Sequence, residues 1–242
     1  MEIETAINKA NLELKKNNIK SSILDCEILM SKVINRDRKY IILNSKKEIK
    51  DNYYNHFKEL VNQRLKGKPI AYITGKKYFW KYEFDITENV LIPRPDTEII
   101  VEQVLDVFKN KNRINFLDIG IGSGCILLSI LKEKKNYLGT GIDMSNECIR
   151  LSKINAYKLG VINRVKIFKS DVDNFNFGKY DLIISNPPYI KKLDLKYLDR
   201  DVINFEPKLA LDGGLEGLSE IRKVIKKSSG LIKKKGKLIL EI

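Results

Sequence analysis

Ile114-Asn115-Phe116-Leu117-Asp118-Ile119-Gly120-Ile121-Gly122-Ser123-Gly124, followed by the apolar run from Cys125 to Leu131, reads as a buried strand, a glycine turn and a helix. Glycine is needed where the backbone turns tightly and where a ligand must approach peptide N–H groups without a Cβ in the way. Outward from this stretch the pattern repeats. Strands are expected over Tyr137–Ile142, Val165–Phe168, Leu182–Ser185 and Lys237–Ile242, with helices between them, Ser145 to Leu159 the clearest. Alternation of this kind implies an α/β fold with a parallel sheet and right-handed crossovers. Ligands of such sheets bind beyond the carboxyl ends of the strands, and the informative residues all fall there.

The glycine loop points to a nucleotide. The dinucleotide fingerprint would require glycine at Cys125, and a phosphate-binding Walker loop would require Gly-Lys-Ser/Thr; neither is present. The spacing Gly120-Ile121-Gly122-Ser123-Gly124 after Asp118 instead fits the S-adenosyl-L-methionine loop of Rossmann-like methyltransferases. Asp143 ends the second strand, where a carboxylate can accept from both ribose hydroxyls. Asp171 follows the third strand and is placed to accept from the adenine amino group, with Val172 against the ring. A turn or helix cap is the other reading of Asp171.

Asn186-Pro187-Pro188-Tyr189 follows the fourth strand. Two prolines stiffen the backbone, and Pro187 offers a carbonyl without an N–H. A substrate –NH2 needs two acceptors, and the Asn186 side-chain oxygen with the Pro187 carbonyl can supply them. That fixes a planar nitrogen for in-line displacement at a methyl group, with Tyr189 offering an aromatic face. Asn186, Pro187 and Tyr189 are the expected catalytic residues, and Pro188 completes the substrate cradle. No strong general base is required, because the nitrogen becomes more acidic once alkylated.

Composition excludes several other chemistries. One histidine, His56, rules out a two- or three-histidine metal site, and the three cysteines form no C-x-x-C. No metal is expected, and reduced thiols suit a cytoplasmic protein. No apolar run is long enough to span a bilayer, and the start lacks a secretory pattern. The formal charge of +14 concentrates in two stretches without acids, Arg64–Lys81 and Arg222–Lys237. It leaves nucleic-acid binding, or a weak association with RNA or the ribosome, open. At the start of the second stretch Ile221, just before it, and Val224 and Ile225 within it have helical spacing under a lysine-rich solvated face.

Residues 1–73 read as a small helical domain. Ser22 and Asp25 form an S-x-x-D box before Leu24, Ile28, Leu29 and Val33, and a second helix from Asp51 places Phe57, Leu60, Val61 and Leu65 on one face. Residues 74–95 turn aromatic and β-branched, which suits a β-hairpin linker. Pro93 and Pro95 bar a helix there, and the next helix begins at Asp96 or Thr97, with Ile100, Val104, Val107 and Phe108 inward. Residues 96–242 form the catalytic domain.

Taken together, Leu24–Met30, Gly67–Gly75, Leu91–Glu98, the glycine loop, Asn186–Tyr189 and Phe205-Glu206-Pro207 resemble the HemK/PrmC-type glutamine methyltransferases of peptide chain release factors. Arg94-Pro95-Asp96-Thr97-Glu98 is the most specific segment. The resemblance implies a class I methyltransferase sheet and a helical domain that recognises the release factor. It implies methyl transfer to the side-chain amide nitrogen of the glutamine in a Gly-Gly-Gln loop. Ile121 stands where the family usually has threonine, and Val172 where a larger ring is common. The family continues past Leu240-Glu241-Ile242 with further strands, so the sheet is expected to lack its last strands and the chain to be marginally stable. Two other functions compete: a nucleic-acid adenine or guanine amino methyltransferase, and a truncated chain that binds without catalysis.

Overall fold

A computed structural model describes residues 1–242, which divide into two compact units, Met1–Gly75 and Lys76–Ile242. The first is all helical: α1 (Ile3–Lys16), α2 (Ser22–Ile34), α3 (Arg38–Leu43), α4 (Asp51–Leu65) and the short α5 (Ile70–Thr74). Apolar residues recur every third or fourth position. Ile3, Ala6, Ile7, Ala10 and Leu14 of α1 meet Cys26, Leu29, Met30 and Val33 of α2 and Phe57, Leu60 and Val61 of α4 in one core.

One expectation fails in this unit. Ser22 is the first helical residue rather than a cap, and Ser21 before it makes no side-chain cap bond. Asp25 does not close a box. Its carboxylate lies inside the bundle, 2.7 Å from Arg64 Nε, and Arg64 also donates to the Lys68 carbonyl. A buried carboxylate gains more from a guanidinium than from a peptide N–H, so the tertiary partner wins over the local one.

The second unit opens with an antiparallel hairpin, β1 (Lys76–Phe79) and β2 (Tyr82–Asp85), turned at Trp80-Lys81. The hairpin belongs to this unit rather than forming a separate linker. Trp80 N donates to Glu98, and the Trp80 indole and Tyr82 hydroxyl both donate to Glu133. There follow α6 (Glu98–Val107), β3 (Asn115–Ile119), α7 (Cys125–Glu133), β4 (Leu138–Asp143), α8 (Asn146–Lys158), β5 (Val165–Lys169), β6 (Tyr180–Ser185), α9 (Arg200–Phe205), α10 (Ser219–Leu231) and β7 (Ile232–Leu240). The five strands β3 to β7 form one parallel sheet in the order β5-β4-β3-β6-β7. This is the expected α/β class I architecture.

Three local expectations are corrected. Val107 and Ile225 are exposed, while Val101 is buried beside Ile100 and Val104. The last strand begins at Ile232, not Lys237, so α10 ends at Leu231 and the lysine run divides between helix and strand. Lys235 takes a positive φ, and the β6–β7 register slips between Tyr180 and Leu182. This irregularity lets the lysines leave the sheet while Leu238 and Leu240 pack onto it. No helix is long and apolar enough to cross a membrane.

Candidate active site

The register of the sheet brings the expected site residues to one edge. Ile119 of β3 pairs with Ile142 of β4 and with Ser185 of β6, while Asp143 pairs with Lys169 of β5. The chain therefore leaves four adjacent strands at nearly one level, placing Asp171, Asp143, Gly120 and Asn186 side by side. Strand order reverses between β3 and β6, the switch point at which open sheets hold their ligands. The Ser185 hydroxyl, fully buried, donates to the Ile119 carbonyl at 2.7 Å and ties the two strand ends together.

The glycine loop is held from below and open above. Gly120 N and Ile121 N both donate to the Ile142 carbonyl, and Gly124 N to the Ile121 carbonyl. Asn155 of α8 donates to the Ser123 carbonyl and to the Asp85 carbonyl, and accepts from Asp85 N, so the hairpin braces the loop. Ile121 is buried and fills the space in front of Gly141. Ser123 is buried as well. A Cβ on Gly120 or Gly122 would meet nothing within 4 Å, although both have positive φ. Their faces are bare backbone turned to open space, as a bound nucleoside or amino-acid moiety requires.

Asp143, half-buried, is clamped. One carboxylate oxygen accepts from Gly122 N at 3.0 Å and the other from Ser145 N at 2.9 Å. Each oxygen keeps a further lone pair, so a pair of hydroxyls can still donate to it. Asp171 caps its own turn, accepting from Asp173 N at 2.7 Å, and retains its second oxygen. Both readings given to it from sequence are thus compatible with its position. Val172 packs on the sheet beneath.

Asn186 is half-buried, and its side-chain nitrogen donates to Thr97 Oγ1 at 3.2 Å. Its oxygen is left free to accept. Pro187 is buried, and its carbonyl takes no peptide donor. Tyr189 is 42% exposed at the mouth. Partial burial and the Glu241 carboxylate beside it push its hydroxyl above the ordinary tyrosine range, against the pull of Arg94, so it is a neutral ring. The chain after Tyr189 is strapped down. Ile190 N donates to the Leu211 carbonyl and Gly213 N to the Ile190 carbonyl, and a Cβ on Gly213 would lie 2.8 Å from both the Pro188 carbonyl and Tyr189 Cα.

Sequence reasoning gave no role to several residues here. Asp118 served only as a marker of the loop, yet it is buried under it with neither oxygen in a well-formed hydrogen bond, the Leu127 peptide N–H being its one weak neighbour. Burial and the nearby Asp143 charge raise its carboxyl to about 8, with the Leu127 peptide group pulling the other way. Arg94 meets the buried Glu206 at 2.6 Å, and the other Glu206 oxygen accepts from Ile92 N. Both residues lie in segments quoted for the resemblance, and their opposite charges were the available signal. All three cysteines are free and buried, and burial pushes each thiol up to about 12, so Cys125 beside Ser123 and Cys148 beside Asp143 are neutral neighbours of the site.

The open glycine faces, the clamped carboxylate and the acceptor pair fit S-adenosyl-L-methionine. Gly120–Gly124 would take its amino-acid portion, Asp143 its ribose, Asp171 and Val172 its base, and Asn186 the end facing the substrate.

Comparison with known proteins agrees with this chemistry. Residues 5–75 match the family model described as the PrmC N-terminal domain, and residues 96–214 match the methyltransferase small domain. A release factor glutamine methyltransferase of Clostridium acetobutylicum is 39% identical over 245 residues, covering 100% of this chain and 86% of the relative. That of Buchnera aphidicola is 36% identical, covering 94% and 81%. A bifunctional methyltransferase of Rickettsia typhi is 34% identical over 99% of this chain, which spans 50% of that protein.

Proposed function

The chain belongs to the release factor glutamine methyltransferase family, and from that premise we propose that it methylates the side-chain amide nitrogen of the glutamine in the Gly-Gly-Gln loop of peptide chain release factors. The observation that carries the reading is the acceptor pair at the switch point. Asn186 gives its N–H to Thr97 and keeps its oxygen, and the Pro187 carbonyl beside it has no peptide donor. Two acceptors on rigid backbone take the two hydrogens of a primary amide and turn its lone pair toward the cofactor side of the cleft. When bound, S-adenosyl-L-methionine supplies an electrophilic sulfonium methyl group.

An amide nitrogen is a weak nucleophile, so positioning does most of what the chain can do. Asn186 and Pro187 fix the nitrogen, Pro188 keeps the turn rigid, and Tyr189 lays a neutral ring along the planar amide. The glycine loop and Asp143 hold the donor in line across the β3–β6 crevice. The extra proton of the alkylated amide is strongly acidic and leaves to water, so no buried base has to be assigned. In this reading the Met1–Gly75 helical unit recognises the protein substrate. The reaction belongs to the cytoplasm, where release factors act, and the charge of +14 gives the chain a weak attraction for RNA or the ribosome.

The test is incubation with methyl-labelled cofactor and, separately, a bacterial release factor, RNA and DNA. Label is expected on the Gly-Gly-Gln glutamine and absent from a release factor with alanine at that position. Label on nucleic acid instead, or none anywhere, would overturn the proposal.

A further inference from the structure

We infer that Thr97 is a positioning residue for methyl transfer, setting which end of the Asn186 carboxamide faces the substrate. The inference rests on the proposed function for its chemistry, but the contact itself does not. A carboxamide is nearly symmetric in shape and opposite in polarity at its two ends. Turned one way, Asn186 presents an acceptor to a substrate –NH2. Turned the other, it presents a donor to a donor, and the amide is rejected.

The hydrogen bond at 3.2 Å from Asn186 Nδ2 to Thr97 Oγ1 selects the first orientation. Thr97 is 3% exposed, so water does not compete for the hydroxyl. Its backbone is fixed at both ends: Thr97 N donates to the Arg94 carbonyl, and the Thr97 carbonyl accepts from Ile100 N in the first turn of α6. The segment in front of it is anchored in turn. Arg94 is held by Glu206, whose second oxygen accepts from Ile92 N. Glu206, Arg94, Thr97 and Asn186 thus form a continuous brace that ends at the acceptor site. No side-chain hydrogen bond joins Glu206, Arg94 or Thr97 to the glycine loop or Asp143.

The decisive variants are Thr97→Val, which keeps the shape and removes the acceptor, and Thr97→Ser, which restores it. With release factor and cofactor, Thr97→Val is expected to lower kcat about 10- to 100-fold, the scale of a misoriented reactant. Its affinity for S-adenosyl-L-homocysteine should stay within about 3-fold, and Thr97→Ser should recover kcat to within about 3-fold of wild type, since the bond is kept. In parallel, the Asn186 side-chain NH2 is observed by 15N NMR in protein without substrate. The proton donated to Thr97 should be displaced in shift and slow to exchange with solvent in the wild type and the serine variant, and should shift upfield and exchange faster in the valine variant. Thr97→Ala replaces valine if the Trp80 fluorescence of the valine variant shows unfolding.

Full kcat in Thr97→Val, equal losses in the valine and serine variants, or Asn186 resonances unmoved by either the valine or the alanine change would each overturn the inference. Failure of the wild type to label a release factor would defeat the proposed function, and the NMR comparison would still decide whether the brace exists.

Discussion

Asp118→Asn should stabilise the ligand-free second unit, and increasingly so as pH rises. Asp118 is buried without a well-formed hydrogen bond, and its carboxyl is raised from 3.8 to about 8 by burial and the Asp143 charge. A raised acid binds its proton more tightly in the folded chain than in the unfolded one. Below pH 3.8 both states are protonated and nothing is lost. Between 3.8 and about 8 the unfolded state ionises while the folded state does not, so stability falls as pH rises, and above 8 the loss is constant. Each unit is worth about 1.4 kcal/mol, so the penalty reached at pH 7 is on the order of 4 kcal/mol, a ceiling that relaxation and water entry reduce. Asparagine keeps the shape and cannot ionise. Its buried NH2 leaves one more donor unpartnered than the neutral acid's O–H, a cost of about 1 kcal/mol that does not vary with pH. The variant should gain at most about 1 kcal/mol at pH 5 and about 2–4 kcal/mol at pH 7–8. Trp80, the single tryptophan, lies in this unit and reports its urea unfolding. A gain that does not vary between pH 5 and 8, or a variant less stable than wild type at pH 8, would refute the reasoning.

Three further outcomes follow from individual contacts. Asp143→Ala removes the acceptor that clamps Gly122 N and Ser145 N, so affinity for S-adenosyl-L-homocysteine by calorimetry should fall at least about 10-fold. Gly217→Ala would place a Cβ 2.4 Å from the Tyr189 carbonyl at a φ of +76°, so kcat should drop about 10- to 100-fold while cofactor affinity holds, in a single-turnover assay. Arg64→Ala strands Asp25 inside the helical bundle, and the first unit should lose about 3–5 kcal/mol in denaturation followed by circular dichroism.

What was legible in the sequence was what lies close along the chain. Gly120–Gly124 and Asn186–Tyr189 are continuous segments whose residue types state their geometry, and strand alternation placed both at one sheet edge. The supports were not legible, because each is a tertiary meeting. Thr97 and Asn186 are 89 positions apart, and Arg94 and Glu206 are 112 apart. The Ser22–Asp25 box misled because an N-terminal carboxylate on a helix has a local use, and only the folded bundle reveals Arg64 as the stronger partner. The helix-to-strand change at Leu231 was hidden for a related reason. Lysine-rich sequence accepts either structure, and Ile232 is drawn into the sheet by pairing with Tyr180 rather than by any local preference.

The supports also explain why the segment proposed to hold the substrate is built from prolines. A loop that must offer two acceptors to a substrate cannot also hold donors that would satisfy them. Pro187 and Pro188 remove two successive N–H groups from the neighbourhood of the Asn186 oxygen and the Pro187 carbonyl. The same removal deprives the turn of hydrogen bonds that would otherwise hold it. Rigidity therefore has to come from outside: from Ser185 bonded to β3, from Thr97 bonded to the Asn186 amide, and from the Gly213 segment passing against Pro188 and Tyr189. Each of these contacts reaches the tetrapeptide without occupying an acceptor that the substrate amide would need in the proposed reaction. An amide has little nucleophilicity of its own, so a site that left its acceptors half-satisfied or its turn loose would bind the glutamine and fail to methylate it.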